Sequence, residues 1–172
     1  PTMTSAVPGN GQATLTWVAP GSDGGSAITS YKVMAVSDTS RACTTSGALS
    51  CTVTGLVNGT TYTFRVRAVN AAGGGELSGT LNGTVTPATT PGAPTGVTAL
   101  AENAQATVSW TAPASNGGSA ITAYWVESVE DPTKNCSGNG AFVSCVIAPL
   151  TNGTSYTFRV RATNSMGNGP FS

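Results

Sequence analysis

The chain has 172 residues, of which 8% are charged, with seven cations against seven carboxylates and no histidine. That length suits one large domain or two of roughly 85 to 90 residues. The even charge lacks the basic footprint of nucleic-acid binding, the missing histidine rules out Ser–His and Cys–His nucleophiles, and no apolar run approaches the eighteen or so residues that cross a bilayer.

Read from Pro1, a short strand is expected at Thr2 to Ala6, followed by the turn sequence GNG at 9 to 11. Ala13 to Val18 (ATLTWV) alternates, with Ala13, Leu15 and Trp17 on one side and Thr14 and Thr16 on the other. A Gly-rich turn region, APGSDGGSAIT, leads to Tyr31, Val33 and Ala35, which alternate with Lys32, Met34 and Val36. Further strands are expected at Ser50 to Thr54, Thr61 to Asn70 and Leu81 to Thr86, about seven in all. In Thr61 to Asn70, Tyr62, Phe64, Val66 and Ala68 form the apolar face and Arg65 and Arg67 the outer one. No segment has sustained helical periodicity, so the expected class is all-β.

The order then repeats. Trp17, Tyr31 and Cys43 recur as Trp110, Tyr124 and Cys136 at an offset of 93, and Leu56 and Tyr62 as Leu150 and Tyr156 at 94. NGTTYTFRVRAVN from Asn58 returns as NGTSYTFRVRATN from Asn152, which carries Phe64 over to Phe158. A domain-sized period means tandem modules. The expected boundaries are 1–87 for the first, 88–94 for a proline-rich linker and 95–172 for the second, with net charges near +1 and −1. Three prolines in PATTPGAP favour an extended, semi-rigid spacer and a rod-like chain. The start at Pro1, with neither Met nor signal peptide, reads as a mature or excised fragment.

Cysteines fall in two local pairs, Cys43 with Cys51 and Cys136 with Cys145. Free buried thiols and a metal site are the alternatives; a metal site wants closer spacing, and no histidine is present to help. A disulfide across a hairpin explains why each half carries its own pair, and Asn139-Gly140 supplies a turn between the second pair. Closing so short a loop stabilises by roughly 2 to 3 kcal/mol. Persistent disulfides imply an oxidising compartment, and hence an extracellular or cell-surface, secreted setting.

A core Trp, then a Tyr, then L-x-N-G-T-x-Y-x-F-x-V-x-A-x-N closely resembles the fibronectin type III module, and does so in both halves. The resemblance implies two tandem immunoglobulin-like β-sandwiches with Trp17, Trp110, Tyr31, Tyr124, Phe64 and Phe158 in their cores. It also implies that Leu56 with Tyr62, and Leu150 with Tyr156, form tyrosine corners, in which the phenol bonds backbone a few residues upstream. A disulfide in each module is similar to variants common in bacterial extracellular proteins.

Two departures set the functional expectations. The second half stops at Ser172, after NSMGNGPFS, where the first continues LSGTLNGTVTP, so its last strand is expected to be missing and its edge unpaired. Either the native chain continues or a neighbouring chain donates the strand. Trp125 takes the outward place of Lys32, near Arg159 and Arg161. It is expected either to stack on those arginines or to anchor a protein or glycan partner. Met34 and Val36 point outward on the corresponding face of the first module. Glu127, Glu130 and Asp131 are the one acidic cluster; a pairing of Glu127 with an arginine and a turn at 130 to 132 is favoured over a weak Ca²⁺ site. Asn58, Asn82, Asn135 and Asn152 begin glycosylation sequons, three of them NGT.

No catalytic residues, cofactor or metal are assigned. The expected function is a non-catalytic extracellular module for spacing, adhesion or assembly, with protein partners or self-association at the sheet edge or the face bearing Trp125. The alternatives are accessory linker modules of a secreted carbohydrate-active enzyme and direct glycan binding.

Overall fold

A computed structural model describes residues 1–79 and 84–172. Every regular element among them is a β-strand, and none of them forms a helix long and apolar enough to cross a membrane. The chain divides into two compact units, Pro1–Ala88 and Thr89–Ser172.

In the first unit β1 (Thr2–Gly9) and β2 (Gln12–Val18) form a hairpin, and β5 (Ser50–Thr54) pairs with the other edge of β2. The facing sheet runs β4 (Ala42–Thr45), β3 (Ser30–Ala35), β6 (Phe64–Asn70), β7 (Gly73–Gly74), all antiparallel. Period-two alternation carries Ala13, Leu15 and Trp17 inward from one sheet and Tyr31, Val33, Phe64 and Val66 from the other. The rings of Trp17 and Tyr31 meet at 5.6 Å and 57°, the tilted geometry that ring quadrupoles favour.

The second unit repeats the design. One sheet is β8 (Thr95–Glu102), β9 (Gln105–Thr111) and β12 (Ser144–Ile147); the other runs β11 (Asn135–Asn139), β10 (Ala123–Ser128), β13 (Phe158–Asn164), β14 (Gly167–Phe171). Trp110 and Tyr124 meet at 5.3 Å and 53°. Each unit is thus a two-layer β-sandwich around one apolar interior.

Three features differ from what the pattern suggested. The strands β4 and β11 were not anticipated; ACTT and NCSGN are short and polar, with no apolar face to announce them. Both disulfides form, with Cα separations of 6.3 and 6.4 Å. They are not hairpin links, however. Cys43 and Cys136 sit on strands of the four-stranded sheets and Cys51 and Cys145 on strands of the three-stranded ones, so each bond ties one layer to the other.

The third concerns the end of the second unit, where a bare edge on β13 was expected. GNGPF forms β14, which pairs with Arg161, Thr163 and Asn164. Beyond it, Ser172 N donates to Val160 O at 2.9 Å and Val160 N donates to Ser172 Oγ at 3.0 Å. Ser78 makes the same two bonds to Val66 in the first unit, at 2.7 and 3.0 Å. The upper half of β13 is therefore covered. Its lower half has no counterpart of the first unit's Val85, which exchanges two backbone bonds with Tyr62 at 2.8 and 2.9 Å. Of the strand expected at Leu81 to Thr86, residues 81–83 lie outside the described residues. Leu56, Tyr62 and Phe64 are buried, whereas Leu150, Tyr156 and Phe158 are half-buried.

The repeated NGT now has a physical reason. Val57 N donates to the Tyr62 phenol oxygen at 3.1 Å, and Thr151 N to that of Tyr156 at 3.2 Å. Asn58 Oδ1 accepts from Gly11 N at 2.8 Å while its Nδ2 donates to Asn10 Oδ1 at 2.8 Å. Asn152 does the same with Ala104 N and Asn103 Oδ1, at 2.9 and 2.8 Å. The asparagine fastens the crossing between sheets to the turn of the first hairpin. That turn needs a left-handed residue: Gly11 has φ 63°, and its counterpart is Ala104 at φ 54°. A Cβ there costs about 1–2 kcal/mol, against a glycine entropy penalty of roughly 0.5–1. Ala104→Gly is therefore expected to stabilise the second unit by about 0.5–1 kcal/mol, read as a higher denaturation midpoint with an unchanged slope; an unchanged or lower midpoint would refute the strain.

Candidate interaction surfaces

The outer face of the four-stranded sheet in the second unit brings together Trp125, Glu127, Arg159, Arg161 and Phe171. Register places Trp125 opposite Arg161 and Glu127 opposite Arg159. The Trp125 indole N–H donates to Glu127 Oε2 at 2.7 Å. Arg159 donates to Glu127 Oε1 from Nε at 2.9 Å and from Nη2 at 2.6 Å. The Trp125 N–H and then the Arg159 guanidinium hold the Glu127 carboxyl below the usual carboxylate range. Glu127 is 8% exposed, so its charge is retained by these partners rather than by water.

The expected stack of arginine on Trp125 is replaced by another. Arg159 and Arg161 lie over the ring of Phe171, at 4.2 and 4.9 Å from its centroid. The cause is β14, which sets Phe171 directly opposite Arg161, while the carboxylate beside Trp125 captures its N–H. Trp125, Arg159 and Arg161 are thus brought together, with Glu127 and Phe171 as members that the sequence reading did not assign to the surface. In the first unit the corresponding rows are Lys32 opposite Arg67 and Met34 opposite Arg65. Met34 is half-buried and Val36 is 46% exposed.

The rest of the acidic cluster serves a turn. Glu130 Oε2 accepts from Thr157 N at 2.8 Å and Ser128 Oγ at 2.9 Å, and Asp131 Oδ1 accepts from Thr133 N at 3.0 Å. Among the described residues no three His, Cys, Asp or Glu side chains are grouped to hold a metal ion. The Asn58 and Asn152 side chains are committed to the hairpin-turn bonds described above, and Asn135 Nδ2 donates to Pro132 O at 2.9 Å. Asn82 lies outside the described residues.

Two concavities stand out among the described residues. One, of about 320 Å³, lies in the second unit beside the half-buried corner, lined by Ala99, Ala101, Leu150, Tyr156 and Phe158. It occupies the position that Val85 covers in the first unit. The other, of about 560 Å³, lies at the loop end of the first unit, against Ser22, Asp23, Gly24, Asn70 and Gly75.

Two sandwiches, two phenol-pinned crossings and their shared registers agree with the profile of the fibronectin type III domain, which matches residues 1–84 and 92–172. The chain belongs to the fibronectin type III family. It is 35% identical over 96% of its length to endoglucanase B of Cellulomonas fimi, of which it covers 16%. It is 35% identical over 97% of its length to chitinase A1 of Niallia circulans, covering 24% of that protein. It is also 35% identical over 92% of its length to the fibronectin type-III domain-containing protein 3A of Mus musculus, covering 13%. The chain therefore spans less than a quarter of the length of these relatives.

Among these fibronectin type III side chains, Glu130 has the clearest pH consequence. Its carboxyl, normally near 4.5, is lowered to about 2, chiefly by the Thr157 backbone N–H, next by the Thr157 hydroxyl, and then by its own backbone N–H and the Ser128 hydroxyl. A lowered folded-state value means stability present above about 4.5 and lost as pH falls towards about 2. Glu130→Gln should destabilise at neutral pH and flatten the acid limb of a melting-temperature profile across that window. A variant whose profile parallels the parent's would show that the bond contributes nothing.

Proposed function

We propose that this chain is a non-catalytic structural and interaction segment of an extracellular or cell-surface protein, used for spacing, adhesion or assembly. The observation that carries the reading is the treatment of residues 85 to 92. Val85 pairs with Tyr62, Thr86 Oγ1 meets Thr61 Oγ1 at 3.0 Å, Gly59 N donates to Pro87 O at 2.9 Å, and Ala88 N donates to Gly9 O at 3.2 Å. On the other side Thr89 N donates to Gly117 O at 2.8 Å and Gly92 N to Ser115 O at 2.9 Å. Nearly every residue of the connection is thus spent on holding one module or the other, as a spacing element requires. The disulfides support the extracellular setting.

Interaction then falls to edges and faces. The groove beside Tyr156, which Glu102, Gln105, Asn152 and Thr154 line together with Leu150 and Phe158, is one candidate surface for a protein partner. The face of Trp125, Arg159, Arg161 and Phe171 is the second candidate surface for a protein partner.

The endoglucanase and the chitinase favour a second reading, in which the chain serves as accessory linker modules of a secreted carbohydrate-active enzyme. Direct glycan recognition has less support, because the Trp125 N–H, the group that would bond a sugar hydroxyl, is already donated to Glu127. Mixed with crystalline cellulose or chitin and sedimented, the chain should remain in the supernatant. Retention that Trp125→Ala removes would replace the structural reading with glycan binding. Light scattering of the same sample would separate a monomeric spacer from a self-assembling unit.

A further inference from the structure

The loop-end slot of the first unit can be read by comparison with its counterpart in the second. Ser22, Asp23 and Gly24 correspond to Ser115, Asn116 and Gly117 at an offset of 93, and Asn70 and Gly75 to Asn164 and Gly169 at 94. The two loops have the same shape. Gly24 and Gly117 both have φ 73°, Gly25 and Gly118 both 85°. Asp23 Oδ1 accepts from Gly25 N at 2.9 Å, as Asn116 Oδ1 does from Gly118 N at 2.9 Å. Ser22 Oγ accepts from Gly24 N at 3.2 Å, as Ser115 Oγ does from Gly117 N at 3.1 Å.

In the second unit this loop pair grips residues 89–92. Besides the two backbone bonds already given, Asn164 Nδ2 donates to Thr89 O and to Asn116 O, both at 2.8 Å. Pro91 is fully buried. The fit is close enough to require glycines. A Cβ on Gly117 would stand 2.1 Å from Thr89 O, and one on Gly169 would stand 2.5 Å from Pro91 O. Among the described residues of the first unit the same walls are present and open. Gly24 has only Asn70 Nδ2 near its Cβ position, at 3.8 Å, and Gly75 only Ala68 O, at 3.5 Å. Asn70 keeps the bond to Asp23 O at 2.7 Å, while its other reach, to Ser26 O, is 3.2 Å long.

We propose that the slot of about 560 Å³ at the loop end of the first unit is a peptide-binding site for an extended Thr-Thr-Pro-Gly segment, the sequence that residues 89–92 lay against the equivalent loops of the second unit. Its recognition chemistry is that of the second unit: a backbone N–H to Gly24 O, a second N–H to Ser22 O, the Asn70 amide on a carbonyl, and a buried proline against Gly75. Asp23 and Glu76 stand where the second unit has Asn116 and Pro170, so the slot disfavours acidic segments. The proposal goes beyond the structural reading by naming what that end of the module receives, and its failure would leave that reading untouched.

The test joins Ala-Thr-Thr-Pro-Gly-Ala ahead of Pro1 of the whole chain and follows amide hydrogen exchange by NMR. The amides of the first Thr and of the Gly in the added segment should exchange about tenfold slower than in a scrambled segment, the effect of roughly one net hydrogen bond. Thr89 and Gly92 of the same molecule serve as the internal standard. Gly75→Val, whose Cβ meets ordinary contacts in the unextended chain, should return the added amides to the scrambled rate while Thr89 and Gly92 stay protected. Added amides that exchange at the scrambled rate beside a protected Thr89 and Gly92, or protection that survives Gly75→Val, would overturn the site.

Discussion

The crossing from the three-stranded to the four-stranded sheet is the constraint on which each module depends. A chain that changes layer must leave one ladder of backbone bonds before it enters the next, and its peptide groups have to be paired meanwhile. The NGT-x-Y segment meets that need with two side chains. The asparagine amide takes the orphan groups of the first hairpin's turn, and the tyrosine phenol takes the N–H five residues upstream. With the crossing fixed, the register of the strand that follows is fixed too, and a one-residue slip would turn the arginines inward and the valines out. The inward set Phe64, Val66 and Ala68 therefore depends on a polar device more than on its own hydrophobicity.

The two modules act as a paired comparison within one molecule. Their loops agree in dihedral angle and hydrogen-bond length, so where their packing differs, the cause can be assigned. Tyr62 is buried by Val85, and Tyr156, with the same phenol bond but no such neighbour, is half-buried. Fully burying one large apolar side chain is worth about 1.5–3 kcal/mol, a substantial fraction of the ~5–15 kcal/mol that holds a domain together. The disulfide between layers constrains the unfolded ensemble of both modules alike.

Much of this was legible in the chain because period-two alternation and turn residues are local signals. Leu15, Trp17, Val33 and Val66 announce their inward direction by position alone. Other features were not local. The strands at Ala42–Thr45 and Asn135–Asn139 are recruited by a neighbour's edge, with no apolar face of their own. That the cysteines join opposite layers follows from topology, which spacing does not encode. GNGPF looks like a loop until Ser172 closes on Val160. The stack of Arg159 and Arg161 on Phe171 needed that strand to be placed first.

The least legible elements are also the ones to which the proposed contacts with other molecules are assigned. Cores are written in side chains, whereas the loop end and the open edge present carbonyls, N–H groups and glycines chosen for the side chains they lack. Gly117 and Gly169 are small because Thr89 and Pro91 pass within van der Waals reach, and no property of glycine itself discloses that partner. Nor do the carboxylates disclose chemistry. Glu127 and Glu130 are engaged by an indole, a guanidinium and a backbone N–H, so their charge steadies a sheet. A fold that spends its polar groups on itself in this way leaves shape at its ends as its chief means of recognition, and that is consistent with a unit built to be joined to others.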